Sequence, residues 1–251
     1  MRSTCVKILA LSVLATVAST KSVGEILKGF FKGPQKIDET KSTAAQWPKV
    51  NWPVDFHMAG SFFQWDAQSS TLSPYMNMTD DIYLDADGNR EKVLTYLDVA
   101  NLGKMKIITY IDGQDLKMYT NIPDIGQCTV QNLPADFNLT TMQQLAADPN
   151  SGVTNYVGEQ PVPWAGNELF YTFHIVEGDV DETVYFCKKT LNLKWVTMAG
   201  KPFIIKTDGQ QEQHFTDADF QNLKCTPSSN NGMAILSFNH PVHKRLVAKK
   251  F

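Results

Sequence analysis

From residue 56 onward, apolar and polar side chains alternate with a period of two, the spacing of strands that bury one face. Over 56–65, Met58, Gly60 and Phe62 fall on one side. Met76, Met78, Ile82 and Leu84 then alternate with Asn77, Thr79, Asp81 and Tyr83. Asp87-Gly88 predicts a hairpin turn, because glycine tolerates positive φ, and 93–97 is the returning strand. The clearest hairpin follows. Met105, Ile107, Thr109 and Ile111 share a face, Asp112-Gly113 supplies the turn, and Leu116, Met118, Thr120 and Ile122 return. Leu139, Met142, Leu145 and Ala146 predict a short helix over 139–147, stopped by Asp148-Pro149. A second strand-rich half runs through 169–176, 183–188, 193–198, 203–207 and 210–215, with Asp208-Gly209 read as another hairpin turn. About ten strands with short connections predict a mostly β fold, one large antiparallel sheet or two packed sheets, rather than βαβ units.

The flanks read differently. Arg2 and Lys7 precede an apolar stretch from Ile8 to Ala18 that ends in small residues, the layout of a secretory signal peptide over 1–20. That stretch is shorter than the roughly 20 residues needed to span a bilayer. Residues 21–46 place Val23, Ile26, Leu27, Phe30 and Phe31 beside Lys28 and Lys32, a face that could touch a membrane surface. Gly24, Gly29, Gly33 and Pro34 weaken such a helix, so a flexible N-terminal segment is expected. The β domain is expected over 47–227. After it, Ser228 to Gly232 is linker-like, and 228–251 forms a basic C-terminal tail. These features place the protein outside the cell or in the lumen of the endomembrane system.

Charge narrows the partners. The net charge is −3, but residues 42–225 hold 12 basic against 23 acidic side chains, which argues against nucleic acid as a partner of that region. Beyond the leader three cysteines remain, Cys128, Cys187 and Cys225, so at least one thiol lacks a partner within the chain. Asn77-Met78-Thr79 and Asn138-Leu139-Thr140 are glycosylation sequons, which the secretory route makes usable.

Catalytic and metal patterns are weak. Cys187 with His174 or His214 lacks the third, orienting group that nucleophilic catalysis needs. His240-Pro241-Val242-His243 has no third zinc ligand close by. The run from Asp85 to Glu91 has its glycine in the wrong place for an EF-hand and reads as a hairpin. Asp179-Val180-Asp181-Glu182 reads as a solvated turn between strands. With no nucleophile elbow, P-loop or dinucleotide fingerprint, a non-enzymatic role is expected, with no catalytic residue and no metal site assigned. Methionine is frequent at strand positions (Met58, Met76, Met78, Met105, Met118, Met198), and its adaptable side chain suits either an ordinary core or a lipid pocket.

The order of motifs resembles the ependymin-related family of secreted glycoproteins over about residues 52–226. Trp47-Pro48 and Trp52-Pro53 form a tryptophan-rich lead-in, and an acidic turn runs from Asp85 to Arg90. An aspartyl-glycine hairpin leads to a strand ending at Cys128; Tyr156-Val157-Gly158 and a late Cys225 follow. The resemblance implies a Cys128–Cys225 disulfide. It pairs the middle cysteine with one near the mature N-terminus, which this chain lacks, so Cys187 is expected to be a free thiol. The implied fold is two curved antiparallel sheets, a half-barrel or sandwich, around a hydrophobic pocket covered by short helices. The implied activity is non-catalytic binding of a lipid or other hydrophobic small molecule, with weak calcium association and homodimerisation as family traits. Strand alternation then nominates Met105, Ile107, Ile111, Met118, Phe173, Ile175, Trp195 and Phe203 as pocket residues, and a one-residue slip would invert the face. Two other classes stand beside this one: an adhesion or matrix glycoprotein with a filled core, and a secreted hydrolase on a β scaffold.

Overall fold

A computed structural model describes residues 47–99, 103–177 and 180–227. The expected signal peptide, the 21–46 segment and the 228–251 tail lie outside the described residues. The strands are β1 (Phe56–Asp66), β2 (Thr71–Asp85), β3 (Arg90–Val99), β4 (Gly103–Asp112), β5 (Lys117–Ile122) and β6 (Gln127–Asn132). After helix α1 (Leu139–Ala147) come β7 (Thr154–Val162), β8 (Glu168–Glu177), β9 (Val180–Cys187), β10 (Leu193–Met198) and β11 (Ile204–Glu212).

All eleven strands belong to one antiparallel sheet in the order β6-β5-β4-β3-β2-β1-β11-β10-β9-β8-β7. The expectation of two sheets is therefore corrected to one. The reason lies at Asp208-Gly209, which is not a turn. Gly209 has φ +69° inside β11, and the β1 register steps from Ala59↔Asp208 to His57↔Gln211. An extra residue is absorbed as a bulge, so the segments expected to be two strands form one. That long strand pairs with β1 on one side and β10 on the other, joining two meanders into a single sheet.

The expected hairpins at Asp87-Gly88 and Asp112-Gly113 are present, linking β2 to β3 and β4 to β5. Both glycines are required by space. A Cβ on Gly88 would lie 2.4 Å from Asp85 Oδ2, and one on Gly113 would lie 2.6 Å from the Asn89 carbonyl oxygen. The expected helix is α1. Asn138 caps it by accepting a hydrogen bond from the Thr141 N–H at 2.8 Å, and Asp148 leaves it in an extended conformation.

The connection from β6 to β7 joins opposite edges of the sheet, and α1 lies within it. Leu139 and Met142 of α1 are buried in one cluster with residues of every strand except β6. A flat sheet of this size would be about 48 Å wide, at about 4.8 Å per strand. Helix α1 is only about 13 Å long. Among the described residues this helix and the strap 47–55 pack on that face. Bulges also interrupt the β1–β2, β7–β8 and β9–β10 ladders, which adds local twist.

The outer face carries two smaller clusters. Near β8–β10, Val162, Phe170, Tyr185, Trp195 and Ile204 pack under the turn 163–165, with Trp164 edge-on to Tyr185 at 5.7 Å. Across β2–β5, Tyr83, Tyr110 and Tyr119 pack under the segment 213–225 through Phe215 and Phe220. That segment is fastened by the Cys128–Cys225 disulfide, the pairing implied by resemblance. Arg90 bonds Asp217 at 2.7 Å and stacks over Phe220 at 4.4 Å, while Lys224 reaches Asp112 and Asp115 at 2.7 and 2.6 Å.

Candidate functional site

The inner face is the candidate site. Strand alternation points Phe56, Met58, Ile82, Leu84, Val93 and Ile111 inward from the first meander. From the second, Phe173, Ile175, Val184, Phe186, Val196 and Ile205 point the same way. Among the described residues the cover is made of α1 and the strap. In the strap, Trp47 and Trp52 meet Phe173 edge-on with ring centroids 5.1 and 5.2 Å apart, and Trp52 also meets Phe186 at 4.9 Å. Asn51 anchors the strap by donating its backbone N–H to the Leu191 carbonyl at 2.8 Å and its side-chain amide to Asn192 at 2.6 Å.

The eight nominated residues divide. Ile111, Met118, Phe173, Ile175 and Phe203 lie in the main inner cluster. Met105 and Ile107 share that face but form a separate group with Ile122 at the far end of β4. Trp195 is on the opposite side, in the outer cluster with Tyr185. The β9–β10 register shifts between Leu193 and Trp195, so these two residues do not share a face although they are two apart.

Polar groups interrupt the apolar lining, and strand alternation alone locates them. Asp80 points inward between Met78 and Ile82, and is 3% exposed. Its Oδ1 accepts the Thr95 hydroxyl at 2.5 Å, while Oδ2 is buried without a hydrogen-bond partner. Burial pushes its carboxyl up to about 7, against the Thr95 hydrogen bond, which lowers it. Gly60 stands beside it across the ladder and adds no side chain there, and Ile205 packs near that position. In the next cross-strand row, Thr109 pairs with Thr120 and Thr120 with Thr129, a line of hydroxyls across β4, β5 and β6.

Glu182 is the second inward acid, and the expectation of a solvated turn at 179–182 is corrected there. Strand β9 begins at Val180, so Glu182 falls in the same alternating set as Val184 and Phe186. Its row reads Thr154, Ile175, Glu182, Met198 from β7 to β10. The side chain is fully buried and neither carboxylate oxygen has a hydrogen-bond partner. Loss of water, with the neighbouring Asp181 charge adding to it, pushes its carboxyl up to about 8. Thr154 Oγ1 and the Gln143 Oε1 of α1 are likewise buried without partners.

The outer face holds His57 of β1 and His174 of β8. His57 bonds Asp81, which also accepts the Tyr83 hydroxyl at 2.8 Å, and His57 stacks on Tyr83. His174 bonds Asp181 at 2.8 Å. Cys187 is a free thiol and sits opposite Phe170, four residues along β8 from His174, so the two do not form a thiol–imidazole pair. The Asp85 turn uses its own groups. Asp85 accepts the Gly88 N–H at 2.8 Å and Arg90 Nε at 2.6 Å. Among the described residues no three His, Cys, Asp or Glu side chains converge. No described helix is long and apolar enough to cross a membrane. Asn77 and Asn138 are both exposed.

No family model and no curated protein matches the chain. Among solved structures, an uncharacterised conserved protein from Thermus thermophilus aligns over 68% of this chain and 86% of its own, at 12% identity and a TM-score of 0.37. A DUF1329 family protein from Desulfovibrio piger aligns over 67% of this chain and 90% of its own, at 12% identity and a TM-score of 0.33. Likeness at this level assigns no function to the chain.

Proposed function

We propose that this is a secreted, non-catalytic carrier of the ependymin-related type that holds a lipid or other hydrophobic molecule against the inner face of its sheet. One observation carries the reading. The inner face is a largely apolar surface drawn from ten strands, and among the described residues its cover is a nine-residue helix and a strap rather than a second sheet. Moving such a cover breaks no strand ladder, so the apolar face can open to a ligand while the sheet persists. Met58, Met78, Met118 and Met198 on that face, with Met142 of α1 against it, can repack around a guest. The disulfide accords with the secretory route.

A second reading is an adhesion or matrix glycoprotein with no ligand. It is favoured by the closure of the interior, since Val93, Ile111, Phe173 and Phe186 are each 0% exposed. A hydrolase is less well supported: the row neighbours of Glu182 on either side are Ile175 and Met198, which offer no second catalytic group.

The test is native mass spectrometry of the secreted protein, followed by solvent extraction and lipid analysis. A defined co-purifying lipid supports the carrier. A protein that is empty, and that takes up neither a fluorescent fatty acid nor a fluorescent phospholipid, leaves the adhesion reading in its place.

A further inference from the structure

The inner face is largely apolar, yet the ionisable groups buried on it among the described residues are acids. Among the described residues the buried set includes Asp80, Glu91 and Glu182 on this face and contains no lysine, arginine or histidine. Glu182 is the extreme case. It is fully buried, flanked in its row by Ile175 and Met198, and has two oxygens without a hydrogen-bond partner. Asp80 repeats the pattern in the other meander with an unpartnered Oδ2. A buried carboxyl without a partner is destabilising, and folds rarely retain one without a use. Thr154 Oγ1 and Gln143 Oε1 add further hydrogen-bonding capacity that the protein itself does not use.

We propose that Glu182 anchors the head group of the bound molecule, and that this head is a protonated amine on a lipophilic body. The inference rests on the carrier reading above and names the ligand class of that site. An ammonium brings the hydrogen-bond donors and the positive charge that the two unpartnered oxygens of Glu182 can take. A fatty acid brings a second carboxylate beside Glu182, where like charges repel and the buried set among the described residues holds no base. The carboxyl of Glu182 has already lost its water on folding, so binding has only the amine left to desolvate. An amine that sheds its proton to solvent on entry takes the Glu182 proton inside, giving an ammonium–carboxylate pair with the proton count balanced.

The test compares dodecylamine, dodecanoic acid and dodecanol, which share one chain and differ in the head. Binding to the intact secreted protein is followed by tryptophan fluorescence at neutral pH, below the aggregation limit of each compound. The expected result is an amine affinity about tenfold or more above that of the acid. In Glu182→Gln the amine preference over the acid falls to near parity. Dodecanol binding without any preference for the amine overturns the head-group assignment and leaves the carrier reading standing. A preference that survives in folded Glu182→Gln removes Glu182 as the anchor. Failure of all three compounds to bind overturns both readings. The wild-type ranking decides the ligand class even where the variant does not fold.

Discussion

The indole of Trp52 stands edge-on to the ring of Phe173, with centroids 5.2 Å apart and planes at 68°. Trp52 belongs to the strap and Phe173 to the sheet, so this contact holds cover against floor. Trp47 makes a second such contact with the same ring. Trp52→Ala is expected to lower stability by about 2–4 kcal/mol through lost packing. In the carrier reading it also speeds entry and exit of a fluorescent lipid. Denaturant unfolding and stopped-flow exchange check the two effects separately.

Phe173→Ala should be more severe, because the ring is 0% exposed and packs against Trp47, Trp52, Tyr156 and Phe186. A loss of about 3–5 kcal/mol is expected, measured as a drop in the urea midpoint.

Stability should fall as pH rises from mildly acidic to mildly alkaline. Glu182 sits near 8 in the fold against an ordinary 4.5, and Asp80 near 7 against 3.8. Both are raised acids, so the folded chain binds more protons than the unfolded chain between those limits. Their destabilising effect is absent below the ordinary values and complete above the raised ones. The expected loss across the window is on the order of a few kcal/mol. Thermal unfolding at a series of pH values checks it, and Glu182→Gln should flatten the upper part of the slope.

Reducing the Cys128–Cys225 bond, or replacing Cys225 by serine, frees the 213–225 segment from edge strand β6. On the loop-entropy model the bond stabilises the fold by up to about 4–5 kcal/mol. Unfolding with and without reductant measures the difference.

Gly113→Ala should destabilise by about 1–3 kcal/mol, since the added carbon meets the Asn89 carbonyl oxygen at 2.6 Å. Asn138→Gln removes the cap of α1 and should lower stability by about 1 kcal/mol, whereas Asn138→Ser removes the sequon and retains a capping oxygen. Melting curves of the three variants check both expectations.

The hairpins were legible because their glycines are forced by local geometry, as at Gly88 and Gly113. The same dipeptide at Asp208-Gly209 misled: Gly209 takes its positive φ in a bulge, whereas Gly88 and Gly113 sit in their turns without one. What separates them is β1 lying alongside, a partner about 150 residues away that no local pattern reveals. Trp195 faces outward for a related reason, a bulge that sequence alternation cannot register. The two inward acids were hidden by their chemistry. Asp80 lies between Met78 and Ile82, and Glu182 two residues before Val184, so the period of two already placed both inside. Their charge made the solvated reading attractive, and only burial in the assembled sheet shows otherwise.

Among the described residues, nine of the ten ladders pair strands adjacent in sequence, and the β1–β11 ladder joins the first strand to the last. Each meander can therefore zip from its own turns, quickly and independently, while the β1–β11 closure waits on a search across about 150 residues. That closure is the slow step this topology imposes. A chain cut between β6 and β7 leaves two halves, each with its hairpins intact, able to find one another by adding β1 to β11.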